Sequence, residues 1–400
     1  MHSMYKLQGV VQHYSWGGTR FIPELVGTDN DDQKPFAEYW LGAHPNAPAH
    51  LINGEVKSLL DAIRRNPEEM LGVRVQKQFG TLPYLFKILD VRQMLSIQVH
   101  PSIESAVKGF AEENEKGIPV NAPHRNYKDE NHKPELMAAL SDFWLLHGFK
   151  NEAGLQKIFS SVPELLFLQE SFSRGGYQGL YRDLMTMPQE MVDAVLSPLL
   201  KRIVPLYKEG TLQKSSEHFW AARAVETFCK NDSYDRGIFS IYLFNLLHLK
   251  EGEGIYQPSG LPHAYLEGQN VEVMANSDNV LRAGLTDKHV DVAELMKHVK
   301  FEATIPAVIR AQSGSQQVYE TPAAEFELTR YTVTADNSLT PPGATIFFVY
   351  DGEITLVSGE DTISLGRGES AVVFANKTVQ LKALKAPATL YAVTAPEAKN

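Results

Sequence analysis

Four residues scattered along the chain are candidate ligands of a metal ion, though their types alone do not identify a site: Gln98, His100, Glu135 and His263. Gln98 and His100 lie in Ser96-Ile97-Gln98-Val99-His100-Pro101, which reads as the end of a β-strand entering a turn. Side chains on a strand alternate faces with period two, so Ser96, Gln98 and His100 share one side. A neutral imidazole beside a carboxamide oxygen is half of a metal site, and Pro101 stops the strand at a rim, where such sites open. The alternative is that the pair fills an interior through hydrogen bonds alone. Glu135 opens an otherwise apolar run from Pro134 to Leu140, where a carboxylate is costly unless exposed, hydrogen-bonded or metal-bound. His263 stands in the turn Gly260-Leu261-Pro262-His263, stiffened by its proline. Two imidazoles, one carboxylate and one amide oxygen suit a divalent ion of borderline softness, Zn²⁺ first and Fe²⁺, Mn²⁺ or Co²⁺ behind it. A single carboxylate leaves about one positive charge on the ion, enough to polarise a substrate oxygen.

The elements that would position these residues are mostly short strands. Tyr5 to Trp16 and Phe36 to Leu41 alternate apolar and polar residues between turns rich in Gly, Asp and Asn. Lys87-Ile88-Leu89 and Met94 to Val99 read as buried strands joined by Asp90 to Gln93. Strands return from Phe239 to Leu249 and again from Val318 to Thr394, where Asp351-Gly352 predicts a two-residue hairpin turn. Strands punctuated by Gly and Pro are what small jelly-roll barrels require. Helices are expected at Ser58 to Ile63, from Pro67, and over Ile103 to Glu115. Between Asn151 and Asp235 apolar residues recur at helical spacing, as in Val192, Val195, Leu196, Leu199 and Leu200. The fold class is therefore mainly β with a helical insertion. The expected units are 1–150 with 237–317 around the ligands, the insertion 151–236 walling the pocket, and a metal-free second barrel over 318–400.

Composition excludes several function classes. With 400 residues, 43% hydrophobic and 22% charged, the chain is that of an ordinary globular protein of two or three units. A net charge of −10 argues against nucleic-acid binding. No stretch is long and apolar enough to predict a membrane span. One cysteine, Cys229, rules out an intramolecular disulfide and fits a reducing compartment, so a cytoplasmic location is expected. Gly175-Gly176-Tyr177-Gln178-Gly179 lacks the Lys-Ser/Thr of a phosphate loop. His44 reads as a polar loop residue and His248 as a core or edge residue.

Several long motifs, in order, resemble the type I phosphomannose isomerases. They are Tyr14-Ser15-Trp16-Gly17-Gly18, Ala37 to Pro45, Leu95 to Pro101, Arg125-Asn126-Tyr127-Lys128-Asp129 with Asn131 to Glu135, Gly260 to Tyr265, and Asn276 to Thr286. The resemblance spans nearly the whole chain. It implies a zinc enzyme of cupin-type barrels, a bicupin with an added α-helical domain, and one Zn²⁺ per chain; a monomer is expected, though the sequence does not reveal oligomeric state. It implies that Gln98, His100, Glu135 and His263 are the zinc ligands and Arg282 the catalytic arginine. The implied reaction interconverts mannose 6-phosphate and fructose 6-phosphate through an enediol.

That chemistry needs an electrophile, a base and a cation for phosphate. Arg282 is always protonated and suits stabilising an enediolate rather than acting as base. Lys133, His132 and Asp278 are the candidates for proton transfer. Lys133 and Lys87 are candidates for phosphate or hydroxyl contact, and Ser105 for phosphate. After Pro101 the chain runs Ser102-Ile103-Glu104-Ser105, without the lysine many relatives carry near this point. Two other readings remain: a cupin of the same metal with different chemistry, such as an Fe-dependent oxygenase, and a non-catalytic sugar-binding bicupin.

Overall fold

A computed structural model describes residues 2–54, 56–229 and 233–397. Strand and helix take similar shares of these residues, so the chain is mixed helix and sheet rather than mainly β. The helices it adds to the expected set are short ones beside the strands, such as Phe21–Val26 and Val292–His298.

The strands form two antiparallel sheets. In the first, of 10 strands, Gly254–Gln257, Glu135–Ala139, His263–Ala275, Tyr84–Val91, Glu38–Gly42 and Val10–Gln12 lie side by side in that order. Its organising strand is His263–Ala275. The start of that strand pairs with Gln98–Val99 and Phe143–Phe149, and its end with Tyr84–Val91 and Glu135–Ala139. The handover falls at a register shift between Tyr265 and Glu267, followed by Gly268 at φ 131°. A side chain at Gly268 would sit 2.6 Å from the Asp142 carbonyl, so the strand bends there only because the residue is glycine.

The second sheet has 9 strands, with Val379–Thr394 and Thr345–Ser358 at its centre. Met4–Gln8 and His50–Leu51, from the start of the chain, pair into it beside Ser370–Val373. Alternation along Tyr84–Val91 sends Tyr84, Phe86 and Ile88 into a core shared with Ile346, Phe348 and Val393 of the second sheet. Lys87 and Leu89, with the opposite parity, face a cleft.

Helices between Glu152 and Phe228 pack their apolar stripes on the other flank of the first sheet, against Val99, Leu146, Phe149, Ala264 and Leu281. No helix among the described residues is long and apolar enough to cross a membrane.

Three local expectations are corrected. Phe239 to Leu249 is not one strand: Gly237–Leu243 is a helix and Phe244–Leu249 the strand. All seven residues of that helix are buried, and a helix apolar all round has the composition of a buried strand. Asp351-Gly352 is not a hairpin turn. Thr345–Ser358 runs through it with register shifts, Gly352 at φ 84° passing 2.8 Å from Ala388 Cα where a Cβ would stand. The two-residue turn is Gly359-Glu360, between the paired Ser358 and Asp361. Within Met94 to Val99 only Gln98–Val99 is strand, while Leu95 donates to the Tyr265 carbonyl and Ile97 donates to the Gly284 carbonyl and accepts from the Ala283 amide.

Candidate metal centre and cleft

The first sheet converges His100, Glu135 and His263 at one end of its cleft. Their ligand atoms lie within 4.8 Å of one another, and all three side chains are buried. His100 Nε2 is 3.3 Å from Glu135 Oε1, and His263 Nε2 is 3.2 Å from Glu135 Oε2. Gln98 lies opposite both His263 and Arg282 in the ladder and lines the same cleft.

Backbone carbonyls settle which nitrogen faces inward. His100 Nδ1 is 2.8 Å from the Asn279 carbonyl, and His263 Nδ1 is 3.0 Å from the Leu261 carbonyl. A carbonyl only accepts, so each Nδ1 holds its ring's hydrogen, and in the neutral imidazole the Nε2 lone pair points at the carboxylate. Burial pushes His100 down to about 4, the direction that keeps it neutral. Its Nε2 has no hydrogen-bond partner although buried. Burial pushes the Glu135 carboxyl up, but the Lys133 ammonium beside it holds it well below the usual range. Converging acceptors with no proton between them repel, and a divalent cation removes the conflict. The donor set thus fits a borderline metal ion such as zinc.

A second group of charges lies along the same face. Lys87 stands opposite Glu272 and Trp40 in the ladders. Its Nζ is 3.1 Å from Glu272 Oε1 and 3.6 Å from Glu38 Oε2, and 5.4 Å above the Trp40 ring. Tyr265 donates to Glu272 Oε2 at 2.8 Å, and Trp40 Nε1 to Glu38 Oε2 at 2.5 Å. Burial pulls the Lys87 ammonium down, yet Glu38, Glu272 and Glu135 more than reverse it. Lys87 is therefore a buried cation whose charge is compensated by carboxylates.

Of the other expected residues, Lys133, Asp278 and Arg282 line the cleft, of about 510 Å³, and His132 and Ser105 do not. Lys133 Nζ is 2.9 Å from Glu135 Oε1. His132 is drawn away by Glu325, its Nε2 2.6 Å from Oε1 of that residue. Ser105 occupies the first turn of the helix Ile103–Glu115, where Ser102 Oγ caps its amide at 3.3 Å. Arg282 and Lys288 have no side-chain hydrogen bond or ion pair among the described residues, and both face the cleft. Burial lowers both groups, and Arg282 adds to the lowering of Lys288. The insertion contributes Thr227 and Phe228 to the wall.

Sequence reasoning missed Glu38, Glu272 and Lys288. Glu272 carried the signal that revealed Glu135, since Val271-Glu272-Val273-Met274 also places a carboxylate within an apolar strand.

A sheet that converges two imidazoles and a carboxylate, beside a cleft with two unpaired cations, has the side chains of a metal-binding protein with room for a small anion. Comparison with known proteins makes this specific. Residues 4–152 match the model of the phosphomannose isomerase type I catalytic domain. The chain is 37% identical over 386 residues to a mannose-6-phosphate isomerase of Shigella flexneri, covering 94% of this chain and 96% of that one. It is 33% identical over 418 residues to that of Rattus norvegicus, covering 95% of each. A crystal structure of mannose 6-phosphate isomerase from Salmonella typhimurium, bound to its substrate and to zinc, superposes with a TM-score of 0.87. That alignment has 36% identity and covers 99% of this chain and 100% of the other. The chain belongs to the type I phosphomannose isomerases.

Proposed function

We propose that this protein is a zinc-dependent aldose–ketose isomerase that interconverts mannose 6-phosphate and fructose 6-phosphate, supplying mannose metabolism. The observation that carries the reading is the set of inward lone pairs of His100 and His263 around Glu135, beside the unpaired Arg282. Gln98, His100, Glu135 and His263 hold one zinc ion. Bound there, zinc supplies Lewis acidity toward a sugar oxygen, worth several kcal/mol.

The chain's own residues do the rest. The hydrogen on C2 of mannose 6-phosphate leaves as a proton to a carboxylate, its electron pair forms the C1–C2 double bond, and O1 gains a proton. Return of a proton to C1, with loss of the O2 hydrogen, gives the ketose. Asp278 carries the proton: it lines the cleft, whereas His132 is held by Glu325 and Lys133 is paired with Glu135. Burial raises the Asp278 carboxyl, but His44 and the charges of Lys133 and Lys87 hold it below its ordinary value, so it starts ionised. Arg282 stabilises the developing enediolate, and Arg282 with Lys288 grips phosphate. Lys87 orients a hydroxyl.

The two sheets are read as cupin-type jelly-roll barrels. Residues 1–150 and 237–317 supply the catalytic barrel, 151–236 the helical insertion, and 318–400 the second barrel, joined by Met4–Gln8 and His50–Leu51. The half-buried free Cys229 agrees with a cytoplasmic protein, and a monomer is expected.

The test is a coupled assay for fructose 6-phosphate formed from mannose 6-phosphate, before and after chelation and zinc return. Turnover abolished by chelation and restored by zinc supports the reading. Protein loaded with metal that turns over no hexose phosphate overturns it.

A further inference from the structure

Between Glu38–Gly42 and His50–Leu51 lies a histidine whose backbone setting is opposite to that of the two candidate ligands. His44 is buried, 4% exposed, with its ring edge-on to Trp40 at 5.0 Å. Its Nδ1 faces not a carbonyl but the amide N–H of Asn46, at 3.3 Å. A nitrogen that accepts carries no hydrogen, so the neutral ring holds its hydrogen on Nε2. That atom is 3.4 Å from Asp278 Oδ1. Asn46 turns its own side chain to the same carboxylate, Nδ2 donating to Oδ2 at 3.2 Å. The backbone of Asp278 is fixed as well, its amide donating to Asp129 Oδ2 at 2.7 Å. Both oxygens and the amide of Asp278 are therefore held, while its side chain stays 41% exposed along the cleft.

We propose that His44 is a positioning residue, which donates from Nε2 to the Asp278 carboxylate and aims it at the C1–C2 edge of the sugar. The proposal rests on reading Asp278 as the proton carrier. In each turnover the carboxylate takes the C2 proton and returns a proton to C1, while His44 keeps its own hydrogen. The donor matters most when Asp278 is ionised, because a hydrogen bond to a charged acceptor is stronger than one to a neutral acceptor. The other groups around Asp278 are Lys133, Lys87, Lys128 and the Tyr14 hydroxyl, and none of them is the bonded partner of either oxygen. The same imidazole chemistry is thus used in two ways: a carbonyl at Nδ1 makes a ligand of His100 and His263, and an amide at Nδ1 makes a donor of His44.

Two substitutions in the zinc-loaded full chain test this. His44→Phe keeps a flat ring against Trp40 and removes the donor, and His44→Gln keeps a donor. A positioned general base contributes about 10²–10⁴-fold, and misaiming it is expected to cost about 10-fold or more in kcat. The account expects that loss in His44→Phe, with KM within about twofold and zinc content unchanged. The acid limb of the kcat–pH profile should rise by about one unit, since the ionised carboxylate loses its donor. His44→Gln should recover most of kcat and return the limb. Parent-like kcat and limb in His44→Phe overturn the proposal, as do equal losses in both variants with an unmoved limb. Asp278→Asn separates the two claims. If it loses about 10²-fold or more while His44→Phe matches the parent, only the positioning role fails. If Asp278→Asn matches the parent, the proton-carrier reading fails and the positioning claim with it.

Discussion

The two sheets differ in what fills their second face. In the first, the face turned away from the shared core carries Glu38, Lys87, Glu135 and Glu272, all buried and charged. In the second, the corresponding face carries Phe347, Val349, Ile354, Leu356, Val373 and Leu390, all buried and apolar. Both sheets use the same alternation, so backbone geometry did not choose between them. The polar face costs desolvation that only mutual pairing and a cation offset, and the apolar face is a source of stability. On the function proposed above, the first sheet does the chemistry and the second holds the fold.

If that division is right, damage to the polar face should remove function and damage to the apolar face should remove stability alone. The largest effect is expected from Glu135→Ala, which takes away the only anionic member of the donor set. Zinc content should drop and kcat fall by about 10³-fold or more, read by metal analysis and the coupled assay. Next comes Lys87→Met, which leaves Glu38 and Glu272 buried without their cation. A loss of about 3–5 kcal/mol in denaturant stability is expected, with activity impaired in whatever remains folded. The lost function is what the comparison requires, and the lost stability is that of two carboxylates left buried without a cation. Leu356→Ala in the second sheet should cost about 2–5 kcal/mol on the same melt, with kcat and KM per folded molecule unchanged. A fall in kcat there would break the comparison. The smallest effect is expected from Ile354→Val, about 0.5–1.5 kcal/mol and no kinetic change.

Much of this was legible in the residues, and the reasons are local. The helix Ile103–Glu115 falls on its expected span, and the structure adds the Ser102 cap at its start. Glu135 stood out because a carboxylate enters an apolar strand at a cost, Gln98 because it shares a strand face with His100, and His263 because Pro262 stiffens the turn that carries it. The resemblance then supplied their common purpose, and the structure brings them together. The rest depended on long-range contacts. Gly237–Leu243 looks like a strand until the insertion is seen to bury it on every side. Asp351-Gly352 looks like a hairpin until Ala388 is seen across the ladder. His132 was indistinguishable from Lys133 as a proton carrier until Glu325, nearly two hundred positions away, was found holding it. The contacts of His44 were not legible because they depend on an amide two residues on and a carboxylate in another loop.

The central claim, that the cleft of the first sheet holds a metal in one set of residues and does chemistry with another, is tested most directly by metal content measured together with turnover. The proteins to compare are the parent, His263→Ala and Arg282→Ala, each with mannose 6-phosphate as substrate. The account predicts about one zinc per chain in the parent and in Arg282→Ala, zinc lost from His263→Ala, and turnover lost from both variants. Zinc and turnover both retained in His263→Ala would contradict it.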